Sequence, residues 1–222
     1  MGKIKITSIC TLIMIAALTF SYSVNAQTES QQERDYKVRP IRLGLKLGFP
    51  NLVGGNLEYV TPLLNDRLAV NLDYSTINSD WFMADEETDG TETTNLDFSY
   101  LEGGFNYYFF KAGKGLYGGL SYNQMNFKGE TNVESNGREG KGNIDYNHNS
   151  FNIKLGARLG GLFYFRPEIG YSFSHLPKTI EYQARYEDGT TETETYDFSE
   201  ELASADILFK GLMVNIGFGF AF

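Results

Sequence analysis

The stretch Leu212-Met213-Val214-Asn215-Ile216-Gly217-Phe218-Gly219-Phe220-Ala221-Phe222 alternates large apolar residues with small or polar ones. Side chains along a β-strand point alternately to opposite faces, so the large residues would share one face and the others the opposite face. A strand that crosses a membrane needs this pattern, with one face toward lipid and the other toward a polar lumen. The stretch therefore predicts a membrane-crossing strand in a closed barrel, because an open sheet edge would leave backbone groups unpaired in hydrocarbon.

Seven further segments alternate in the same way, which gives eight predicted strands. They lie near residues 41–49, 55–62, 68–75, 101–109, 116–127, 151–159, 163–173 and 212–222. Connections after strands two, four and six are short and those after three, five and seven are long, with the loop after strand five predicted over about 128–147. Barrels of this kind keep short turns on the periplasmic side. We therefore predict an all-β fold, an eight-stranded antiparallel transmembrane β-barrel with both the N and C termini periplasmic.

The first 26 residues have the layout of a secretory signal peptide. Lys3 and Lys5 precede an apolar run, and Val24-Asn25-Ala26 supplies small residues for cleavage. We expect a signal peptide over 1–26, a flexible periplasmic segment over 27–39 and the barrel over 40–222. No later stretch is long enough to span a membrane as a helix, so export of this chain favours the outer membrane. The single cysteine, Cys10, lies before most of the apolar run, where a lipid anchor would not be attached.

Nine charged residues fall on the predicted inner face of the strands. They are Arg42, Lys46, Glu58, Asp73, Glu102, Lys154, Arg158, Arg166 and Glu168. An eight-stranded barrel is just wide enough for side chains to fill it. The near balance of sign predicts a paired, hydrogen-bonded core, because an unpaired buried charge is costly. The alternative is an ion or proton path lined by the same residues.

The remaining charge is mostly acidic and lies in the predicted long loops. Loss of residues 1–26 removes two lysines and no acids, which takes the net charge from −9 to −11. Nucleic acid binding needs a basic stripe and is not expected. The loop 78–95 carries six acids and no base, so a strongly negative exterior end is predicted, able to hold divalent cations, repel anions or dock a basic partner. Within this loop, Trp81-Phe82-Met83 is either an interface anchor or a partner contact. In the last long connection, the alternation over 191–196 predicts a polar hairpin above the barrel wall.

Three motifs bear on chemistry and none predicts an active or metal site. His148-Asn149-Ser150 resembles the His-x-Ser of lipid A deacylases, with Glu168 as the acid, but the strand phase points His148 and Ser150 inward, away from lipid. The loop 85–90 imitates the start of a calcium loop, but Leu96 stands where a bidentate glutamate is needed. Two histidines and no mature cysteine argue against zinc. We expect no enzyme activity, no cofactor and no metal.

The mature chain resembles the small outer-membrane β-barrel proteins of the Bacteroidota, often grouped as "porin family" barrels. The features that carry the resemblance are the signal, the eight alternating strands, the stretch Arg166-Pro167-Glu168-Ile169-Gly170-Tyr171 and the terminal Phe222. The resemblance implies that Phe218, Phe220 and Phe222 form the signal read by the barrel-assembly machinery, which would be a transient partner. Pro167 cannot donate a ladder hydrogen bond, so we expect it at a bulge near the periplasmic rim.

The expected function is a non-enzymatic outer-membrane barrel with a filled lumen and acidic extracellular loops, in an envelope-structural or interaction role. Its expected partners are outer-membrane lipid and lipopolysaccharide, the assembly machinery and an envelope protein. Three alternatives stay open: an accessory subunit of an envelope or secretion machine, a narrow pore, and a lipid A-modifying enzyme. A soluble lipocalin-like barrel is the alternative fold, and it would point its apolar residues inward.

Overall fold

The structure is a computed structural model that describes residues 37–78, 95–135, 138–197 and 206–222. One compact unit, Val38–Phe222, contains all of these except Lys37. The predicted signal peptide, most of the segment 27–39, the Trp81-Phe82-Met83 stretch and the calcium-like loop 85–90 lie outside the described residues.

Ten strands and one short helix follow one another in the described part of the chain. Their bounds are β1 Ile41–Phe49, β2 Leu52–Val60, β3 Leu68–Asn78, β4 Asn95–Tyr108, β5 Gly115–Ser135, β6 Arg138–Gly160, β7 Phe163–Ser172, β8 Thr179–Tyr186, β9 Thr191–Asp197, α1 Asp206–Phe209 and β10 Leu212–Ala221. No helix within the described residues is long and apolar enough to cross a bilayer.

Eight of the strands close into a barrel in the order β1-β2-β3-β4-β5-β6-β7-β10, with every neighbouring pair antiparallel. The ring closes where β10 pairs with β1, for example Phe220 opposite Leu43. The prediction of an all-β, eight-stranded antiparallel barrel is confirmed, and the eighth predicted strand is β10.

The register around the barrel sets the tilt of its strands. A path of directly paired residues leads from β1 to β10 through Ile41, Tyr59, Val70, Phe105, Leu120, Ile153, Tyr171 and Leu212. Because Phe49 pairs with Val214, continuing that register by two residues places Leu212 level with Asn51, ten residues beyond the start of the path. A stagger of ten residues over eight strands corresponds to a tilt of roughly 40°.

Two strands are much longer than predicted. The predicted loop over 128–147 is wrong, because β5 continues to Ser135, β6 begins at Arg138, and the two stay paired from one end to the other. This segment has no apolar face, so its strands lack the signal that marks the membrane-crossing ones. The predicted polar hairpin is present: β9 pairs with β8, and β8 extends the wall by pairing with β6 at 140–143.

Pro167 does not lie at a bulge. It sits in the middle of β7, opposite Ile216 of β10. The β6–β7 register is the same on both sides of it, at Gly156–Glu168 and at Leu159–Phe165, so no extra residue is inserted. The ladder is instead interrupted between these two pairs, because proline has no N–H to donate.

The outer surface of the barrel is apolar and its interior is polar. Outward residues such as Leu45, Leu120, Phe151 and Phe220 are 51–67% exposed. The apolar run covers about ten residues of a strand, and at a rise of about 3.3 Å per residue and a tilt of roughly 40° it forms a band about 25 Å tall. Such a band matches the hydrocarbon region that a transmembrane barrel spans.

Candidate functional site: the polar lumen

All nine charged residues that the alternation directs inward lie inside the barrel, and none is more than 5% exposed. They belong to six of the eight barrel strands, β1–β4, β6 and β7. Five are basic and four are acidic. Because buried charges are stable only when they are paired and hydrogen-bonded, their contacts decide what the lumen can do.

Arg166 lies at the centre of the largest group of contacts. Its guanidinium lies 3.2 Å from the Glu58 carboxylate and 2.9 Å from the Glu168 carboxylate. Lys46 places its ammonium between two carboxylates, 2.6 Å from Asp73 and 2.6 Å from Glu168. These five side chains reach across the lumen from β1, β2, β3 and β7, so they join opposite walls.

A second group lies on the β4–β6 side of the lumen. Lys154 forms an ion pair with Glu102, and both side chains are 1% exposed. The other carboxylate oxygen of Glu102 accepts a hydrogen bond from the Tyr100 hydroxyl. Among the described residues, no third charged side chain lies within ion-pair distance of Lys154 or Glu102. The energy of this pair is therefore the simplest to measure by substitution.

At the end of the barrel with the short turns (residues 61–67, 109–114 and 161–162), the turn 109–114 folds over the mouth, and two lumen arginines hold its Gly113 carbonyl. Arg42 pairs with Glu58 and donates to the Gly113 carbonyl at 2.5 Å. Arg158 donates to the same carbonyl at 3.4 Å and to the Gly161 carbonyl at 2.7 Å. Gly113 has φ +55°, and a Cβ there would overlap the Arg42 guanidinium. Glycine is therefore required for this turn to fold back under the barrel.

Three arginines in the lumen each lie over a tyrosine ring. The pairs, with guanidinium-to-centroid distances, are Arg42 over Tyr108 at 5.4 Å, Arg158 over Tyr164 at 5.1 Å and Arg166 over Tyr117 at 5.0 Å. Two of these tyrosines also bond to the charges. Tyr117 accepts from Arg166 at 2.7 Å and donates to Glu168 at 2.5 Å, and Tyr108 accepts from Arg42 at 2.8 Å and donates to Glu58 at 2.9 Å. The rings fill space that water would otherwise occupy, and cation–π contacts stabilise the desolvated guanidinium groups.

Inward glycines make room for these rings. Gly44 of β1 and Gly219 of β10 are directly paired, and a Cβ on Gly44 would lie 2.7 Å from the Tyr164 hydroxyl. Gly156 of β6 leaves the corresponding space for Tyr117. Each tyrosine ring therefore occupies the space above a glycine of a neighbouring strand, Tyr164 opposite Gly219 and Tyr117 opposite Gly156, and this packing fixes where the ring lies.

The opposite mouth, at the end of the long connections, is closed by apolar side chains. The segment after β7 and helix α1 meet there, with the Leu176 N–H donating to the Phe209 carbonyl at 3.1 Å. Between them and the charged interior, a gap of about 20 Å³ has room for one water molecule. Its walls include Leu208 and Met213, and Met213 is 1% exposed.

An exposed ion triad ties these two segments together. Asp206 at the start of α1 lies 2.6 Å from Lys178 and 2.6 Å from Lys210. Hydrogen bonds from the two ammonium groups lower the pKa of Asp206 to about 2. The carboxylate therefore stays ionised at all physiological pH values.

The structure separates the residues of the deacylase-like motif. His148 and Ser150 point inward, as the strand phase predicts, and the Ser150 hydroxyl accepts from the Ser172 hydroxyl at 2.6 Å and from the Ser174 N–H at 3.0 Å. Glu168, the proposed acid, is held by Lys46 and Arg166 instead. Within the described ranges, no three histidine or acidic side chains are grouped so that they could bind a metal.

The residues of the predicted assembly signal lie on the outer wall. Phe218, Phe220 and Phe222 are 38%, 51% and 61% exposed. Two of the rings pack against aromatic residues of β7: Phe218 lies tilted against Phe165 with centroids 5.3 Å apart, and Phe220 meets Phe163 edge to face at 5.6 Å.

Sequence reasoning missed the tyrosines that complete the lumen. Tyr100, Tyr108, Tyr117 and Tyr164 are all buried, at 0–1% exposure. The alternation carries the signal for them, because each stands an even number of residues from an inward charge or glycine on its strand. Aromatic residues in a membrane-crossing strand are usually expected on the lipid face, so an inward tyrosine is easily overlooked.

A closed eight-stranded barrel with an apolar exterior and an ion-paired interior is the architecture of outer-membrane β-barrel proteins, and it places this chain in an outer membrane. The polarity is the reverse of that expected for the soluble lipocalin-like alternative, which would keep its apolar residues inside.

Solved structures of outer-membrane proteins are similar to this chain at low identity. CarO of Acinetobacter baumannii has a TM-score of 0.41 at 15% identity, covering 84% of this chain and 100% of that chain. CarO2 of the same organism has a TM-score of 0.40 at 15% identity with the same coverage. A major outer membrane protein of Thermus thermophilus has a TM-score of 0.43 at 18% identity, covering 82% of this chain and 98% of that chain. No protein-family model and no curated protein matches the chain.

Proposed function

We propose that this protein is a non-enzymatic, non-conducting barrel that serves a structural or interaction role in the outer membrane. We also propose that the protein is of the same type as the small outer-membrane barrels of the Bacteroidota. It also includes the orientation in which both termini and the short turns face the periplasm and the long connections face outward.

The observation that carries the proposal is the filled lumen. Ion pairs from Arg166 and Lys46 join opposite walls in the middle of the barrel. The Gly113 carbonyl closes one mouth, and Leu176 and Leu208 help to close the other. An ion crossing this lumen would have to break several buried, charge-assisted hydrogen bonds, each of which contributes roughly 1.5–3 kcal/mol.

Electrical recording in planar bilayers tests the proposal. The wild-type barrel should give no discrete conductance steps in 1 M KCl. The double variant Arg166→Ala, Glu168→Ala removes two side chains from the central group and should leak small currents, which would show that the recordings can detect an opened lumen. Stable current steps from the wild type would refute the closed lumen and favour the narrow pore.

Accessibility labelling tests the orientation. The mature chain would contain no cysteine once residues 1–26 are removed, so single cysteines can be introduced without background. Asp188→Cys in the β8–β9 turn should react with a membrane-impermeant maleimide on intact cells. Lys111→Cys in a short turn should react only after the outer membrane is opened, and the reverse pattern would invert the proposed orientation.

A second candidate function is that of a subunit in a larger envelope assembly, and the β8–β9 hairpin favours it. This hairpin widens the wall beyond the eight barrel strands, and Arg138 of β6 fastens it through Glu192 at 2.8 Å and Asp188 at 3.6 Å. The hydrogen bond to Glu192 raises the pKa of Arg138, whereas the pKa of Asp188 is lowered mainly by hydrogen bonds from the Thr190 hydroxyl and N–H. Native gels of mildly solubilised outer membranes should show co-migration with a stable partner, and migration at the mass of a free barrel would remove this candidate.

A further inference from the structure

The outer face of β3–β6 carries a polar pocket above the apolar band. Its lower row consists of Thr76, Ser99, Asn126 and Asn147, which are paired side by side across the four strands. Its upper row includes Asp97, Lys128 and Asp145, paired in the same way. Together they line an open concavity of about 440 Å³, which we call the outer-wall pocket.

The pocket lies at the height of lipid headgroups. On β4, Leu101 follows the pocket residue Ser99 by two positions toward the middle of the wall, and it is 44% exposed on the same face. The next outward level toward the middle holds Tyr122 of β5 and Phe151 of β6, which are 46% and 67% exposed with ring centroids 5.0 Å apart. Aromatic residues in this position mark the upper boundary of the hydrocarbon region. A ligand of the pocket that also touches the wall below it must therefore be amphiphilic.

The pocket residues suit a sugar better than a phosphate. Amides, hydroxyls and carboxylates provide both donors and acceptors, as the hydroxyl groups of a sugar require. The only base in the pocket, Lys128, is 3.9 Å from Asp145, and both side chains are more than half exposed, so neither is consumed by a tight ion pair. With two carboxylates and one ammonium, the pocket has net negative charge and repels an anionic phosphate group.

We propose that the outer-wall pocket binds the sugar headgroup of an outer-leaflet glycolipid whose acyl chains lie on the apolar wall below. That wall has its own concavity of about 790 Å³ beside Gly118, Leu120 and Ile153 on the same strands. The proposal rests on the proposed function, because it needs the long-loop end of the barrel to face the outer leaflet. It gives the interaction role of the barrel a specific lipid class and a place on its surface.

Native mass spectrometry tests the proposal on the full-length mature barrel. The protein is reconstituted in nanodiscs of phosphatidylethanolamine and phosphatidylglycerol that contain a small share of rough lipopolysaccharide, which is lipid A with core sugars. The double variant Asn126→Ala, Asn147→Ala removes two amides from the pocket. The control Asn143→Ala, Gln183→Ala removes two exposed amides that are paired with each other on β6 and β8, outside the pocket.

We expect one lipopolysaccharide to stay bound to the wild type and to the control. The pocket variant should bind it about tenfold more weakly, because two hydrogen bonds to the sugar are lost. Equal retention by the pocket variant and the wild type would overturn the proposal, as would a wild type that retains phospholipid equally well. Retention that survives the amide changes but disappears with a chelator would also overturn it, since a cation would then be bridging phosphate to the carboxylates.

The two proposals fail in different ways. If the barrel inserts, does not conduct and yet shows no preference for lipopolysaccharide, only the glycolipid site is wrong. If Asp188→Cys proves inaccessible from outside the cell, the orientation is wrong and the pocket faces the inner leaflet.

Discussion

Separating Lys154 from Glu102 should strongly destabilise the barrel, whereas removing both charges should not. Each side chain is 1% exposed, so whichever charge remains after a single substitution is buried without its partner. Breaking a buried pair in this way costs about 3–5 kcal/mol. We therefore expect Glu102→Gln and Lys154→Met each to lower the free energy of unfolding by about 3 kcal/mol or more. Glu102 keeps its hydrogen bond from Tyr100 in the lysine variant, which places that variant at the lower end.

The double variant should recover most of the loss. A buried ion pair replaced by neutral side chains of similar volume is often neutral in its effect on stability. The coupling energy of the double-mutant cycle should therefore be at least about 3 kcal/mol, above the range for ordinary contacts. The exposed pair Lys128–Asp145, 3.9 Å apart on neighbouring strands, provides the matched control, and its cycle should give a coupling below about 1 kcal/mol.

The assay is reversible unfolding in urea in phospholipid vesicles, with the folded fraction measured from the gel mobility of unheated samples. If the two single substitutions cost less than about 1 kcal/mol, the lumen must be hydrated and the charges solvated. A hydrated lumen of this kind would also contradict the filled, non-conducting barrel.

Two further predictions concern the wall and the long-loop mouth. Gly104→Ala would drive a Cβ into the Leu120 carbonyl of the neighbouring strand and should lower the free energy of unfolding by about 1–3 kcal/mol. The adjacent Gly103 faces lipid, and a Cβ there would lie 3.9 Å from its nearest neighbour, so Gly103→Ala should change stability by less than about 0.5 kcal/mol. Equal unfolding of the two variants in urea would contradict this packing. The carboxyl group of Asp206 should titrate at about 2 by NMR in micelles, and Lys178→Ala should raise that midpoint toward the usual value of about 3.9. Because the folded-state pKa lies below the unfolded one, the stabilisation is present above about pH 4 and is lost as the pH falls through 2, so a midpoint near 4 in the wild type would contradict the ion triad.

The membrane-crossing part of the fold could be read from the sequence because hydrocarbon imposes a strict alternation on it. Phe218 and Gly217 differ so much in size and polarity that their faces are unambiguous, and the same holds for the inward charges. Above the band, water contacts the outer face, and alternation no longer distinguishes a strand from a loop. The extension of β5 to Ser135 escapes prediction for that reason. Pairing between side chains is beyond the sequence as well, because alternation gives the face of Arg166 but not its neighbours across the lumen.

Charges in the lumen also bear on how the barrel chooses its register. A slip of one residue between two strands would turn inward charges such as Lys46 and Asp73 toward lipid, which is prohibitively costly. A slip of two keeps every face correct and is penalised only by specific fit. The Lys46–Asp73 bond of 2.6 Å would break, and Tyr164 would lose the gap at Gly44. Buried ion pairs add little net stability compared with apolar packing. Their contribution here is to favour the observed register, in which Lys46, Lys154 and Arg166 each lie against a carboxylate, and that same complementarity leaves the lumen filled.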